Sequence, residues 1–186
     1  MFFGQLQAQQ WVPVRKWRAE EAGASADMGV VLTITSSLTR FLERHYGMRL
    51  TVRLHDQAVD RAEPLEAKLL DCAATSPALR RRVSLLHRDS VMFDAESVLP
   101  LEDLPTDLVQ ELQEGEKPLG NLLLDRGLSL SRSDLSVTRI ADEGMYADRW
   151  ARRSVLRSPS GTRALVVEVF HQEIWKRLQQ LGRRYK

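Results

Sequence analysis

One carboxylate stands out by its surroundings. Glu168 lies inside Ala164-Leu165-Val166-Val167-Glu168-Val169-Phe170, a run that is otherwise wholly apolar. Burying a lone carboxylate is costly unless it is paired or protonated. Two readings follow. Either Glu168 points to solvent from a half-exposed strand or pairs with a neighbouring arginine, or it is an acid-base group whose pKa is raised by burial. Arginines are the second feature. Arg80-Arg81-Arg82 enters one expected strand and Arg152-Arg153 sits in another. Strand alternation sends neighbours to opposite faces, so one member of each set can face inward. An inward guanidinium suits a small dicarboxylate, because its planar fork donates two parallel hydrogen bonds to a carboxylate. The alternative is a solvated basic surface.

Other chemistry-bearing patterns are missing. There is no glycine-rich phosphate loop, dinucleotide fingerprint or Gly-x-Ser-x-Gly elbow. His45, His55, His87 and His171 have no metal-ligand spacing and read as surface or helix-face residues. Cys72 is the single cysteine, so no internal disulfide forms and no metal cluster is built on it.

The elements that must position these residues alternate in type. Ser36 or Ser37 caps a helix over about 37–46, with Leu38, Phe41, Leu42 and His45 on one face and Gly47 as its stop. Met48 to Leu54 alternates apolar and polar, the pattern of a strand with one buried face. Leu65, Leu69 and Leu70 suggest a short helix, and Pro77 a turn. Strands are expected over 82–87 and 91–99, joined by a tight hairpin at Arg88-Asp89-Ser90. Thr106 caps a helix closed by Gly115, and Pro118-Leu119-Gly120 opens another that Gly127 stops. Three more strands follow at about 130–140, 149–157 and 163–170, the last two joined by a turn at Ser158-Pro159-Ser160-Gly161. An amphipathic helix over 172–182 ends the series. Hairpin-linked strands with inserted helices define an α+β domain: an antiparallel sheet with helices on one side.

The chain has 186 residues and 43% hydrophobic residues, enough for one domain with a core and a pocket. Residues 1–28 read as an N-terminal extension, with Ala22 to Asp27 a flexible connector, and 29–186 as the single domain. Charge is unevenly spread. Residues 89–148 carry 14 acidic and 4 basic side chains, and 149–186 carry 10 basic and 2 acidic. The basic tail alone suggests nucleic acid, but an acidic middle in the same compact domain argues against it. No apolar run approaches a membrane span and no secretory signal is visible, so a cytoplasmic location is expected. With no coiled-coil or swapped element in view, a monomer is expected.

The residues resemble the chorismate pyruvate-lyase family from about Ser36 to Phe170. The resemblance is carried by six pieces in family order: Ser37-Leu38-Thr39-Arg40-Phe41, Arg82-Val83-Ser84-Leu85-Leu86, Ala95-Glu96-Ser97-Val98-Leu99-Pro100, Lys117-Pro118-Leu119-Gly120, Trp150-Ala151-Arg152-Arg153-Ser154 and Leu165-Val166-Val167-Glu168-Val169-Phe170. It implies an antiparallel sheet with helical flaps over an enclosed site. The implied reaction eliminates pyruvate from chorismate to leave 4-hydroxybenzoate, without cofactor or metal. It implies that Arg82 holds the ring carboxylate and that Glu168 acts near the ring oxygen. Leu119 and Gly120 supply flap contacts, Leu54 lines the apolar wall where well-known members have methionine, and Arg153 is the binding member of its pair. Glu96 replaces a common arginine and is expected to alter charge near the site or its entrance. The same fold serves ligand sensing in bacterial transcription regulators, so a non-catalytic domain binding an aromatic carboxylate is the alternative. Those regulators carry a winged-helix domain, for which residues 1–35 are too short. A lyase-like enzyme with a related substrate is a third reading.

Overall fold

A computed structural model describes residues 9–114, 118–126, 131–141 and 144–182. The elements are β1 (Val12–Pro13), α1 (Ala26–Thr33), α2 (Leu38–Tyr46), β2 (Thr51–Arg61), α3 (Pro64–Leu70), β3 (Pro77–His87), β4 (Ser90–Pro100), α4 (Thr106–Glu114), α5 (Leu119–Asp125), β5 (Ser131–Arg139), β6 (Trp150–Arg157), β7 (Arg163–Phe170) and α6 (Gln172–Gly182). Seven strands form one sheet in the order β1-β5-β6-β7-β4-β3-β2, and every pairing is antiparallel. The architecture is the α+β class that the pattern of elements predicts.

Local chemistry sets most element ends. Ser37 Oγ accepts from the Arg40 amide, and Gly47 takes the left-handed conformation (φ 63°) at the other end of α2. The Gly47 amide then bonds the Glu43 carbonyl and the Met48 amide bonds the Leu42 carbonyl. The bond from Gly47 is the 5→1 closure of a left-handed helix cap, and Met48 just beyond it is buried. Met48 therefore belongs to the helix end and not to the strand, which begins at Thr51. The same strand runs on to Arg61 through polar residues, because β2 is an edge strand whose side chains are largely exposed. The β3–β4 hairpin turns on Arg88 and Asp89, both at positive φ (47° and 66°), as a two-residue type I′ turn requires. Pro77 opens β3 instead of marking a turn, a first-residue position that tolerates its missing amide. Gly115 and Gly127, the expected helix stops, lie outside the described residues.

Residues 12–24 pack on the body. β1 pairs with β5, and Trp17 is buried with its ring edge against Trp150, centroids 5.8 Å apart. The flexible connector expected at Ala22 to Asp27 is a turn followed by the start of α1, whose N-cap Ser25 side chain accepts from the Met28 amide. Val31 and Leu32 of α1 are fully buried.

One sheet face carries two separate apolar clusters. In the first, α1, α2 and α6 pack on Val83, Leu85, Phe93 and Phe170. In the second, Leu108 and Leu112 of α4 and Leu119, Leu122 and Leu123 of α5 pack on Leu79, Leu99, Leu156 and Val166. The ground between them is not filled by apolar side chains. Helix α3 covers part of the opposite face, with Ala67 and Leu70 against Val98, Val155 and Leu165.

Candidate active site

A cavity of about 370 Å³ lies between the two clusters. Its apolar walls include Leu38, Phe41, Val83, Leu85, Phe93, Leu119, Leu156 and Val166, and its polar floor carries Arg81, Ser97, Arg132 and Glu168. Strand alternation explains the floor. Arg81 is followed on the same face by Val83 and Leu85, and it pairs across the ladder with Ser97. Glu168 shares its face with Val166 and Phe170 and stands directly opposite Arg152 on β6.

Glu168 is 6% exposed and Arg152 is fully buried. Arg152 clamps the carboxylate with two bonds, a short one from Nε to Oε2 and one from Nη2 to Oε1 at 3.0 Å. Its remaining nitrogen, Nη1, donates to the carbonyls of Val31 (3.0 Å) and Ile34 (3.2 Å) at the end of α1. Arg132 Nη1 lies 4.0 Å from Glu168 Oε2 and donates a short bond to Ser154 Oγ. Burial pushes the Glu168 carboxyl up, but Arg152 and then Arg132 pull it down further, and the net shift is below the ordinary value. The raised pKa considered for Glu168 is thus corrected: the group is ionised at neutral pH. An ionised carboxylate accepts protons or hydrogen bonds and does not act as an acid. Burial lowers Arg81 and Arg132 to about 10, still far enough above neutrality to keep both charged.

Two helices form the outer wall. The α5 helix is tied to the start of α2 by Thr39 Oγ1 donating to Asn121 Oδ1 (2.9 Å) and by an ion pair between Arg40 and Asp125 (3.0 Å). These contacts place Leu119 and Gly120 against the cavity beside Ser37. Thr35, Ser36, Arg40, Arg44 and His45 complete the lining and are exposed, so they form the rim.

Three expected site residues lie elsewhere. Arg82 is on the opposite sheet face, paired across the ladder with Glu96, and the cavity takes Arg81 in its place. Leu85 and Leu86 are both apolar and flank a register shift between β3 and β4, which blurs the inward period. The Val83-Ser84-Leu85 alternation was the available signal. Arg153 also faces away, with its guanidinium 4.7 Å from the centroid of Trp11, and Arg152 is the inward member of that pair. Leu54 is on the cavity side, opposite Val83, but at the sheet edge, where it packs on the apolar core outside the cavity. Leu38 of α2 lines the wall instead. Glu96 is buried on the reverse face, bonded to Arg80 Nη1 at 2.6 Å, and Arg80 also holds Glu66 at 2.7 Å. Its charge is matched there and does not reach the cavity. Arg152 is one of the two arginines that the sequence offers for the inward position on β6, whereas Arg132 has no distinguishing signal beyond its place in a strand.

The arrangement suits a small organic anion: buried guanidinium groups, one ionised carboxylate and apolar walls wide enough for a ring. Among the described residues, no group of three or more His, Cys, Asp or Glu is placed to hold a metal ion, and no helix is long and apolar enough to cross a membrane.

The family model described as chorismate lyase matches residues 18–180, and the chain belongs to that family. A curated relative from Pseudomonas entomophila (strain L48), named Probable chorismate pyruvate-lyase 1, is 28% identical over 141 residues, spanning 71% of this chain and 76% of the relative. Among solved structures, PhnF from Mycobacterium smegmatis superposes with a TM-score of 0.62 at 13% identity, over 92% of this chain and 93% of that one. The C-terminal domain of the histidine utilization repressor from Pseudomonas syringae pv. tomato superposes with a TM-score of 0.53 at 14% identity, over 67% and 93%. Likeness at those identities concerns the fold alone.

Proposed function

We propose that this chain eliminates pyruvate from chorismate to release 4-hydroxybenzoate, without a cofactor. The observation that supports this most is the cavity floor, where Arg81 and Arg132 share one cavity with an ionised, clamped Glu168 beneath apolar walls. Arg81 binds the ring carboxylate through its guanidinium fork. The apolar walls hold the ring, and Leu119 and Gly120 of α5 close over it. Glu168 accepts a hydrogen bond from the ring hydroxyl. Its two bonds to Arg152 fix the carboxylate before substrate arrives, which lowers the cost of orienting the reacting groups. In the reaction the ether bond between the ring and the enolpyruvyl group breaks, and a ring hydrogen leaves as a proton. Enolpyruvate takes up a proton and becomes pyruvate. The gain of an aromatic ring drives the step, so positioning and one proton-accepting group suffice. Family membership and the named relative support the same reading.

The test is incubation of purified protein with chorismate and no additive, following 4-hydroxybenzoate by chromatography and pyruvate by a coupled assay. Equimolar products are expected. Chorismate that binds but is not consumed would instead make the chain a ligand-binding domain.

A further inference from the structure

Charge around the cavity is not balanced from within. The described lining holds four arginines, Arg40, Arg44, Arg81 and Arg132, against one carboxylate, Glu168, a formal excess of three. Asp125 and Arg152, the partners of Arg40 and Glu168, cancel one another and leave that excess unchanged. The groups able to bind an anion sit at two depths. Arg81 and Arg132 belong to the floor, with side chains mostly or wholly withdrawn from solvent. Arg44 and His45 are exposed on the last turn of α2, at the rim. Leu38, at the buried start of the same helix, lines the same cavity. The seven-residue step from Leu38 to His45 covers about 10 Å along the helix axis. His45 is steadied by Phe41, one helical turn back, whose ring centroid lies 4.7 Å from the imidazole.

A ligand with one carboxylate needs only the floor. At the rim, the Arg44 guanidinium and the hydrogen-bonding imidazole of His45 match a second negative charge carried on a side arm. We propose that Arg44 and His45 form an outer carboxylate subsite that takes the side-chain carboxylate of a ring-sized dianion. This rests on the lyase reading, in which the substrate carries a ring carboxylate and an enolpyruvyl carboxylate. The subsite thereby selects dianions over singly charged ring acids and holds the leaving group at the solvent side. Coulomb attraction at an exposed rim is screened by salt, so its contribution falls as ionic strength rises.

Calorimetric titration of the whole chain with a matched, unreactive pair tests this: 3-methoxybenzoate, and 3-(carboxymethoxy)benzoate, which adds one carboxylate on the ether arm. The Arg44→Gln/His45→Gln double variant changes only exposed side chains, and circular dichroism confirms its fold. The expected result is at least tenfold weaker binding of the dicarboxylate, under twofold change for the methoxy acid, and a smaller difference at high salt. Arg81→Gln is expected to weaken both ligands. Equal weakening of both by the double variant, no change in either, or no binding of either to the parent chain would overturn the subsite. Chorismate turnover by the same preparations decides the lyase reading separately: an inactive parent chain that still shows the tenfold difference refutes that reading and supports the subsite.

Discussion

Replacing Arg81 by glutamine, with Arg82→Gln alongside, separates two adjacent guanidinium groups on opposite faces of one strand. Arg81 lines the cavity and is 2% exposed, whereas Arg82 stands opposite Glu96 on the reverse face. A guanidinium fork gives two charge-assisted hydrogen bonds to a carboxylate, and each is worth about 1.5–3 kcal/mol. Losing both removes about 3–6 kcal/mol of substrate and transition-state binding. At about 1.4 kcal/mol per factor of ten, kcat/KM for chorismate is expected to fall about a hundredfold to ten-thousandfold in Arg81→Gln. Arg82→Gln is expected to stay within about threefold, because it leaves the cavity untouched. Initial rates of 4-hydroxybenzoate formation across a chorismate series give both numbers, and thermal melts check that each variant is folded. A large loss in Arg82→Gln with near-normal kinetics in Arg81→Gln would refute the strand register and the site built on it.

Arg152→Met leaves the Glu168 carboxylate and two carbonyls at the end of α1 without their donor, and breaking such a buried pair costs about 3–5 kcal/mol. A drop in Tm of about 6–20 °C follows at about 2–4 °C per kcal/mol for this chain length, and calorimetry reads it. Glu168 has a folded pKa below its ordinary value, so its ionised form stabilises the fold above the unfolded value of about 4.3 and that contribution is lost as pH falls through the folded value. Tm is expected to be flat between about pH 6 and 8, to fall below about pH 4.5, and to fall less steeply on the acid side in Glu168→Gln. On the reverse face, Asp94 accepts from Ser84 and from the Tyr146 hydroxyl (2.8 Å) and lies 2.7 Å from His171 Nε2. Asp94→Asn is expected to lower stability by about 1–3 kcal/mol in a denaturant titration while turnover per folded molecule stays unchanged; a selective loss of activity would contradict a purely structural role for that network.

The sequence by itself determined the elements whose signals are local. Ser37 and Gly47 bracket α2, Arg88 and Asp89 turn the β3–β4 hairpin, and the apolar run around Glu168 is β7 from Arg163 to Phe170. It also singled out Glu168, because a charge in an apolar strand is visible without knowing what surrounds it. Where a local signal was absent, the reading slipped. Met48 reads as a strand residue because the apolar residue after a left-handed helix cap and the first residue of an alternating strand are alike in sequence. The start of α1 looked like a connector because its small residues carry little amphipathic pattern. Only the tertiary structure decided which arginines share the sheet face of the carboxylate. Arg132, Arg152 and Arg81 lie on three different strands, and their convergence on one face depends on sheet order and on register shifts at Leu85/Leu86 and Ser133/Ser136. A one-residue slip turns a side chain to the other face, so Arg81 and Arg82, or Arg152 and Arg153, are equivalent in the sequence and opposite in the fold. The ionisation of Glu168 follows from the same fact: its pKa is set by guanidinium groups that are neighbours only once the sheet has formed.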